Sequence, residues 1–264
     1  MHRRIKVIIS GGGTGGHIFP ALAIANALKE MNRDNEILFV GALGKMEMEK
    51  IPAAGYKIIG LNIRGLQRKL IVSNLSFPFR LIGSVMKSKK IIRDFKPDAA
   101  VGVGGYASGP LLWAASSSGI PCAIQEQNSF PGITNRMLAK RVRKICVAYE
   151  GMEKFFPADK IIMTGNPIRQ DIAALAGKNP EASGEAIEFF GLDRNKKTIL
   201  VLGGSLGALT INESIASGIE KISPAHMQLI WQTGKNYFER AKSFASENVK
   251  VFDFINRMDL AYAT

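Results

Sequence analysis

The stretch Ser10-Gly11-Gly12-Gly13-Thr14-Gly15-Gly16-His17 decides the fold, because it stands between an apolar β-branched run and a helical pattern. The run before it, Val7-Ile8-Ile9, is typical of a buried strand, and Ala21, Ile24 and Leu28 after it follow helical spacing. Glycines permit a tight turn, and free N–H groups at the start of the next helix attract an anion. The sequence therefore predicts a strand-loop-helix unit that holds the phosphate of a ligand.

Strands and helices alternate along the rest of the chain, which predicts an α/β fold with parallel sheets. Pro20 is expected in the first turn of the first helix. A hinge is expected at Thr164-Gly165-Asn166-Pro167, because these residues favour turns and Pro restricts its predecessor. The predicted strands are Lys6–Ser10, Ile37–Val40, Ala99–Val103, Pro121–Ile124, Lys144–Ala148 and Ile161–Met163 before the hinge, and Thr198–Leu202, Gln228–Trp231 and Lys250–Phe254 after it.

The hinge divides the chain into two predicted domains, residues 1–166 and 167–264. The second has three predicted strands, whereas nucleotide-binding sheets usually have five or six, and the chain ends in a helical pattern without a cap. We therefore expect an incomplete second domain. Neither a signal peptide nor a membrane-spanning segment is expected. Cys122 and Cys146 lie in apolar runs, which is typical of buried thiols in a reducing cytoplasm and disfavours redox chemistry and zinc binding.

Glycine-rich turns follow two further strands, at residues 102–109 and 203–208. Three such loops favour phosphate binding over tight packing alone. The first loop also matches the dinucleotide pattern Gly-x-Gly-x-x-Gly, but an NAD-dependent enzyme needs an acidic residue at the end of the second strand. That strand ends Phe39-Val40-Gly41-Ala42, which disfavours an oxidoreductase. The sequence also lacks a Walker motif and an Asp-x-Asp pair.

The formal net charge of +13 is concentrated in the first part of the chain. Residues 1–166 contain 24 Lys and Arg against 11 Asp and Glu, whereas the remaining 98 residues contain 11 of each. Ten basic residues and no acidic residue lie from Lys50 to Arg93, and five basic and no acidic residue lie from Gln127 to Tyr149. This distribution indicates an anionic partner for the first domain.

Five motifs occur in order along the chain: Gly12–Pro20, Gly102–Pro110, Glu126–Asn128, Gly165–Arg169 and Gly203–Ala208. Together they resemble the MurG family of peptidoglycan N-acetylglucosaminyltransferases. The resemblance implies the GT-B glycosyltransferase fold, in which two Rossmann-like parallel-sheet domains face a cleft, here with the second truncated. It also implies inverting transfer of N-acetylglucosamine from UDP-GlcNAc to undecaprenyl-linked lipid I, which gives lipid II.

The resemblance also implies which residues form the site. Its motifs place UDP-GlcNAc contacts at Thr14, Gly15, Gly16, Asn128, Arg169, Ser205 and Ile255, catalytic residues at His17 and Glu126, and the acceptor side at Gly104, Gly105 and Tyr106. No metal or cofactor is implied. The implied partners are UDP-GlcNAc, lipid I and the anionic surface of the bacterial inner membrane, with the protein peripheral on its cytoplasmic face.

The sequence departs from the family at Asn256-Arg257, where acidic residues are common. Family members also continue beyond the position of Thr264 with further donor contacts, so we expect weak or absent donor binding without that segment.

The chemistry of transfer requires a base for the acceptor hydroxyl and groups that stabilise the leaving diphosphate. Arg169 and the loop around Ser205 suit the second task. For the first, His17 is either the base or a donor at the helix start, and Glu126 is either the base or a carboxylate that orders the Asn128 loop. Tyr106 either lines the acceptor site or anchors its loop.

A segment from Leu70 to Arg93 interleaves apolar and basic residues. It either docks on anionic lipid or packs on the core with a solvated basic edge. The residues are Phe77, Phe79, Leu81, Ile82 and Val85, with Arg80, Lys87, Lys89, Lys90 and Arg93.

The charge and the fold class suggest two other functions. The pI of 9.8 suggests a nucleic-acid-binding module, but no zinc, helix-turn-helix or RNA-recognition signature accompanies the charge, so no nucleic acid is expected. Another GT-B enzyme on UDP-sugars, a UDP-GlcNAc 2-epimerase or a glycolipid glycosyltransferase, stays open as the alternative.

Overall fold

The structure, a computed structural model, describes residues 3–65, 76–168, 183–204, 207–221 and 227–264. The chain divides into two compact units, Met1–Arg169 and Gln170–Thr264. Each unit contains one sheet, and every strand pair in both sheets is parallel. The predicted α/β class with two parallel sheets is therefore confirmed.

The first unit is built on a seven-stranded sheet. Its strands are β1 (Lys6–Gly11), β2 (Glu36–Ala42), β3 (Lys57–Leu61), β4 (Ala99–Gly104), β5 (Cys122–Glu126), β6 (Lys144–Val147) and β7 (Ile161–Met163). Their order across the sheet is β3-β2-β1-β4-β5-β6-β7. The chain thus reverses its direction of winding between β1 and β4, and doubly wound sheets bind ligands beyond the carboxyl ends of the strands at such a point. The first two glycine loops both lie there.

Helices cover both faces of this sheet. They are α1 (Gly15–Met31), α2 (Glu47–Ala53), α3 (Phe77–Phe95), α4 (Ser108–Ser117) and α5 (Ile133–Leu138). Alternate strand residues point to opposite faces, so Ile8 belongs to a core with α3 and α4, whereas Val7 and Ile9 belong to a core with α1 and α2. A strand buried on both faces explains the continuous apolar run before the first glycine loop.

Two features of the first unit differ from the sequence prediction. Strand β3 was not predicted, because Lys57 and Gly60 leave only a short apolar run. The prediction that Pro20 lies in the first turn of its helix was wrong, since the helix begins at Gly15 and encloses Pro20. Because proline has no N–H, Pro20 cannot donate the helical hydrogen bond to the Gly16 carbonyl. The helix nevertheless starts directly at the glycine loop.

The predicted hinge begins with a segment held to β5 and β6. Thr164 and Gly165 donate their N–H groups to the Val147 carbonyl, and the Asn166 side chain donates to the Gln127 carbonyl and accepts from Gln125. The chain is therefore fixed to the first unit as far as Asn166.

The second unit contains a three-stranded parallel sheet, which matches the three strands predicted for it within the described ranges. Its strands, in the order β10-β9-β8, are β8 (Lys197–Leu202), β9 (Met227–Gln232) and β10 (Val249–Phe252), and its helices are α6 (Ser183–Phe190), α7 (Leu209–Gly218), α8 (Lys235–Ala241) and α9 (Met258–Ala261). Asn212 is buried in α7, where it accepts from Trp231 Nε1 at 3.0 Å and donates to the Thr233 carbonyl at 2.8 Å. This bridge ties the helix to β9 and the residue after it.

None of the helices in the described ranges combines the length and apolar character needed to cross a bilayer.

Candidate active site

The first glycine loop, residues 11–16, and the second, residues 104–107, pack directly on each other. Gly105 has a φ of +90°, and a Cβ atom there would stand 2.5 Å from the Gly12 carbonyl oxygen. The Ser108 hydroxyl lies 2.9 Å from the Ser10 carbonyl oxygen and 2.8 Å from that of Gly104. Some of the glycines are therefore required by the neighbouring loop, and the two loops form one surface.

This packing predicts that Gly105→Ala lowers the free energy of unfolding by about 2 to 4 kcal/mol, because the substitution combines positive-φ strain with a backbone clash. Gly119→Ala is the matched control, since Gly119 has a φ of +76° and nothing within 4 Å of its Cβ position. We expect it to cost only about 1 to 2 kcal/mol. Urea denaturation measures both values, and equal losses would contradict the interlocked loops.

His17 lies half-buried in the first turn of α1, with its ring between the two loops. Nδ1 is 3.0 Å from the Gly12 carbonyl oxygen and 3.4 Å from Thr14 Oγ1. A carbonyl oxygen only accepts, so Nδ1 carries the proton of the neutral ring, and Nε2 carries the lone pair. Nε2 has no hydrogen-bond partner within the described residues and lies beside Gly104, where a Cβ atom would approach it to 2.7 Å. This tautomer is the one that can accept a proton at Nε2.

The start of α1 offers two free N–H groups. Those of His17 and Ile18 bond to the Thr14 carbonyl, whereas those of Gly15 and Gly16 have no protein partner among the described residues. The first turn of this 17-residue helix contains no acidic residue. Free N–H groups and the positive end of a helix dipole suit a phosphate oxygen.

Glu126 ends β5 and is 1% exposed. Oε1 accepts from the backbone and side-chain nitrogens of Asn128 at 3.1 and 3.0 Å, and Oε2 accepts from the Gly132 N–H at 3.1 Å and Asn135 Nδ2 at 2.8 Å. Four donors occupy the lone pairs of the carboxylate. This arrangement orders the loop that carries the exposed Asn128, which is the second of the two roles considered for Glu126.

Tyr106 has the anchoring contact considered for it. Its ring packs on the backbone of Gly65, where a Cβ atom would stand 2.2 Å from Cε1. The residue is nevertheless 47% exposed. Tyr106 therefore anchors the chain at Gly65, and its role on the acceptor side stays a prediction. Two other predicted donor contacts, Arg169 and Ser205, lie outside the described residues.

In the second unit, the predicted donor contact Ile255 is 3% exposed. Its side chain belongs to a core with Phe190 and Leu260, and its N–H donates to Gln232 Oε1 at 2.9 Å. Since the N–H and the side chain of Ile255 are occupied, its carbonyl oxygen is the group that can bond a ligand, within the described ranges.

Arg257, a basic residue that departs from the family pattern, forms ion pairs within the second unit. It bonds both oxygens of Asp259 at 2.7 to 3.0 Å and reaches Glu185 in α6 at 3.3 Å. These hydrogen bonds hold the pKa of Arg257 above its ordinary value and that of Asp259 below its ordinary value of 3.8. Arg257 therefore joins two helices of the second unit.

This pairing predicts a pH-dependent contribution to stability. A carboxyl group whose folded-state pKa is depressed stabilises the fold above its unfolded-state pKa, and the contribution disappears as the pH falls through the folded-state pKa. We expect the difference in the free energy of unfolding between wild type and Asp259→Asn to be constant above about pH 5 and to shrink below about pH 4. Urea denaturation across this range measures it. The same comparison in an Arg257→Met background serves as the control and should show a smaller change, because only the backbone N–H groups of Asp259 and Leu260 then still lower the pKa of Asp259.

One residue of this site was missed by the sequence analysis. Glu47 is the first residue of α2, is 1% exposed, and lies beneath the first glycine loop. Its carboxylate accepts from the N–H groups of Gly13 and Ala42. Glu47 begins the helix that follows β2, and no site was predicted from the sequence for this strand-loop-helix unit. Its acidic side chain at a helix start was the one signal that could have found it. Within the described residues, no group of three or more His, Cys, Asp or Glu side chains is arranged to hold a metal ion.

Two glycosyltransferase family models match this chain. The model of the glycosyltransferase family 28 N-terminal domain matches residues 7–147, and that of the family 28 C-terminal domain matches residues 198–264. A UDP-N-acetylglucosamine–N-acetylmuramyl-(pentapeptide) pyrophosphoryl-undecaprenol N-acetylglucosamine transferase of Parabacteroides distasonis is 57% identical over 99% of this chain and 71% of its own. A protein of the same name from Flavobacterium psychrophilum is 58% identical over 98% of this chain and 70% of its own. The chain belongs to the MurG family of glycosyltransferases.

Solved structures support membership of the MurG family. The crystal structure of Acinetobacter baumannii MurG is 26% identical, has a TM-score of 0.68, and matches 98% of this chain and 71% of its own. A UDP-GlcNAc 2-epimerase from Neisseria meningitidis, bound to UDP-GlcNAc, has a TM-score of 0.63 over 98% of this chain and 74% of its own, at 16% identity. The likeness to the epimerase shows a shared fold only.

Proposed function

We propose that this protein transfers N-acetylglucosamine from UDP-GlcNAc to lipid I, with inversion at the anomeric carbon, and so produces lipid II for peptidoglycan synthesis. The observation that carries the proposal is the 57% identity over nearly the whole chain to a transferase named for this reaction. The arrangement of His17 and the two free N–H groups at the start of α1 supports it, because both suit group transfer from a diphosphate.

The proposed chemistry is a single displacement. His17 Nε2 takes the proton of the acceptor hydroxyl as its oxygen forms a bond to the anomeric carbon of the donor sugar. The bond between that carbon and the diphosphate oxygen breaks, and UDP leaves with the electron pair. The N–H groups of Gly15 and Gly16 stabilise the negative charge that develops on the diphosphate. Arg169 and Ser205 are assigned to the same leaving group on the family resemblance alone.

The two domains are assigned different substrates. Residues 1–166 hold the lipid-linked acceptor, with Gly104, Gly105 and Tyr106 on the acceptor side, and residues 167–264 hold most of the UDP-GlcNAc. The basic excess of the first domain supports this division, since the acceptor carries a diphosphate and is embedded among anionic lipids. Because Glu126 orders the loop of Asn128, we assign it a positioning role and assign the base to His17.

A transfer assay tests this function. The chain is incubated with radiolabelled UDP-GlcNAc, with and without a lipid I analogue, and the label is followed into lipid, free sugar and UDP-sugar. We expect labelled lipid only when the analogue is present. Release of sugar without acceptor would instead indicate the epimerase class, and labelling of a different lipid acceptor would indicate a glycolipid glycosyltransferase.

The exposed face of α3 supports binding to a membrane surface. Phe79, Ile82 and Met86 form an apolar stripe at helical spacing, and their exposed fractions are 78%, 59% and 66%. Trp113 is also exposed on α4, the helix that packs against α3, and the Arg141 guanidinium stacks 3.4 Å above its ring centroid. Exposed apolar residues beside cations suit the boundary between lipid headgroups and chains. In this proposal the protein is peripheral on the cytoplasmic face of the inner membrane.

Two lysines of α3 are suited to test this contact. Lys87 donates to the Gly60 carbonyl at 2.7 Å, whereas Lys89 and Lys90 are exposed near the C-terminal end of α3. Replacing Lys89 and Lys90 together by Glu should weaken binding to anionic vesicles at least roughly 30-fold. The loss of each basic residue near the surface costs about 1 kcal/mol, and each new carboxylate adds repulsion. Vesicle flotation measures the binding.

The matched control is the pair Lys45→Glu and Lys154→Glu, which changes the net charge equally at exposed positions outside α3. Equal losses in both pairs would show that net charge alone, and not this face, binds the membrane.

A further inference from the structure

Glu47 is a buried carboxylate that the proposed chemistry does not use. Its Oε2 accepts from the Gly13 N–H at 2.8 Å, and its Oε1 accepts from the Ala42 N–H at 3.0 Å. The two donors belong to different elements, since Gly13 is in the first glycine loop and Ala42 ends β2. A charged carboxylate between two N–H groups makes strong hydrogen bonds, and its removal would leave buried donors unpaired.

Two glycines, Gly12 and Gly41, leave space that the side chain of Glu47 fills. A Cβ atom at Gly12 would stand 2.2 Å from Cδ of Glu47, and one at Gly41 would stand 2.6 Å from its Cγ. Both distances are far below van der Waals contact. The sequence attributed the loop as a whole to phosphate binding, whereas the structure explains the missing side chain of Gly12 by the carboxylate beneath it.

The same loop segment orients the imidazole. The carbonyl of Gly12, whose Cα lies over Glu47, accepts from Nδ1 of His17, and the next N–H along the chain, that of Gly13, donates to Glu47. The peptide between Gly12 and Gly13 is therefore held on its N–H side by the carboxylate while its carbonyl side holds the ring. If this peptide rotates, the acceptor for Nδ1 moves away.

We propose that Glu47 is a positioning residue for His17. By fixing the Gly12–Gly13 peptide it keeps the proton of the neutral ring on Nδ1 and the lone pair on Nε2, which faces Gly104. The inference concerns the tautomer and orientation of His17. Its consequence for rate rests on the proposed function, in which Nε2 is the base.

Glu47→Gln tests the inference, with Glu49→Gln as the matched control. Glutamine keeps the volume of the side chain but offers one acceptor and one NH₂ group, so one of the two backbone donors loses its partner. Glu49 lies in the same helix turn and is exposed. We expect Glu47→Gln to lower kcat roughly 10- to 100-fold with little change in KM for either substrate, because a base displaced by about 1 Å loses this much. Glu49→Gln should match wild type.

A double-mutant comparison separates positioning from general structure. In a His17→Asn background, which has no Nε2 base, Glu47→Gln should change the residual kcat less than about threefold. A loss as large as in the wild-type background would overturn the inference, because Glu47 would then act independently of His17.

The decisive measurement, the tautomer of His17, does not depend on transferase activity. The chain contains three histidines, so ¹⁵N-histidine labelling gives few signals, and His17→Asn assigns the one that matters. We expect wild type and Glu49→Gln to show the neutral ring of His17 protonated at Nδ1, and Glu47→Gln to show a larger share protonated at Nε2. An unchanged tautomer ratio in Glu47→Gln overturns the inference. If wild type transfers no sugar but the tautomer shifts as expected, the proposed function fails and the positioning of His17 stands.

Discussion

Replacing His17 by asparagine should lower kcat for sugar transfer by roughly 10²- to 10⁴-fold and leave the protein folded. The amide of asparagine offers an N–H donor in the region of Nδ1, so the hydrogen bond to the Gly12 carbonyl can be kept. It has no group at the position of Nε2, so the proposed base is lost. The change is measured at saturating UDP-GlcNAc and lipid I analogue, with circular dichroism and the thermal midpoint reporting the fold.

His17→Ala completes this test. Alanine removes both the base and the packing of the ring beside Gly104, so we expect a loss of kcat as large as for asparagine together with a lower thermal midpoint. A His17→Asn protein that retains more than about a tenth of wild-type kcat would exclude Nε2 as the base. The same result would leave His17 with the role of a donor at the helix start.

Replacing Glu126 by glutamine should lower the free energy of unfolding by about 2 to 5 kcal/mol. Four donors converge on its buried carboxylate, and glutamine presents acceptor lone pairs to only two of them. The NH₂ group then faces two further donors, one of which is the side chain of the buried Asn135. Urea denaturation measures the loss, and Glu150→Gln, at an exposed position, should stay within about 0.5 kcal/mol of wild type.

Kinetics of the same variant decide between the two roles of Glu126. Because the loop of Asn128 loses its order, we expect KM for UDP-GlcNAc to rise and kcat of the folded protein to fall less than about tenfold. If Glu126→Gln is as stable as wild type and its kcat falls more than about 100-fold, Glu126 is the base and the positioning role is wrong.

The parallel fold was predictable because its signals are local. Val7-Ile8-Ile9 is buried on both faces of the sheet, so it forms a continuous apolar run, and the glycines after it mark the turn into α1. The same reasoning places His17 at the start of a helix. Strand β3 was missed because Lys57 and Gly60 lie within an apolar segment of only five residues, which gives no clear period.

The supporting contacts of the site were not predictable from local patterns. Glu47 reaches a loop 34 residues before it in the chain, and the second glycine loop meets the first across about 90 residues. The sequence does not distinguish a glycine that leaves space for a carboxylate or a neighbouring carbonyl from a glycine that leaves space for a phosphate. The sequence therefore identified the loops but did not show which of their glycines the neighbouring elements require.

The two interlocked glycine loops have a consequence for inhibitor design. Their shape is set by backbone packing before any substrate arrives, so a compound that presents an anion to the Gly15 and Gly16 N–H groups gains affinity without the cost of ordering a loop. Resistance by substitution at Gly12 or Gly105 would displace the partner loop or the carboxylate beneath it. Resistant mutants with substitutions at these positions should therefore have a lower thermal midpoint. Few resistance mutations at this surface should be compatible with a stable fold.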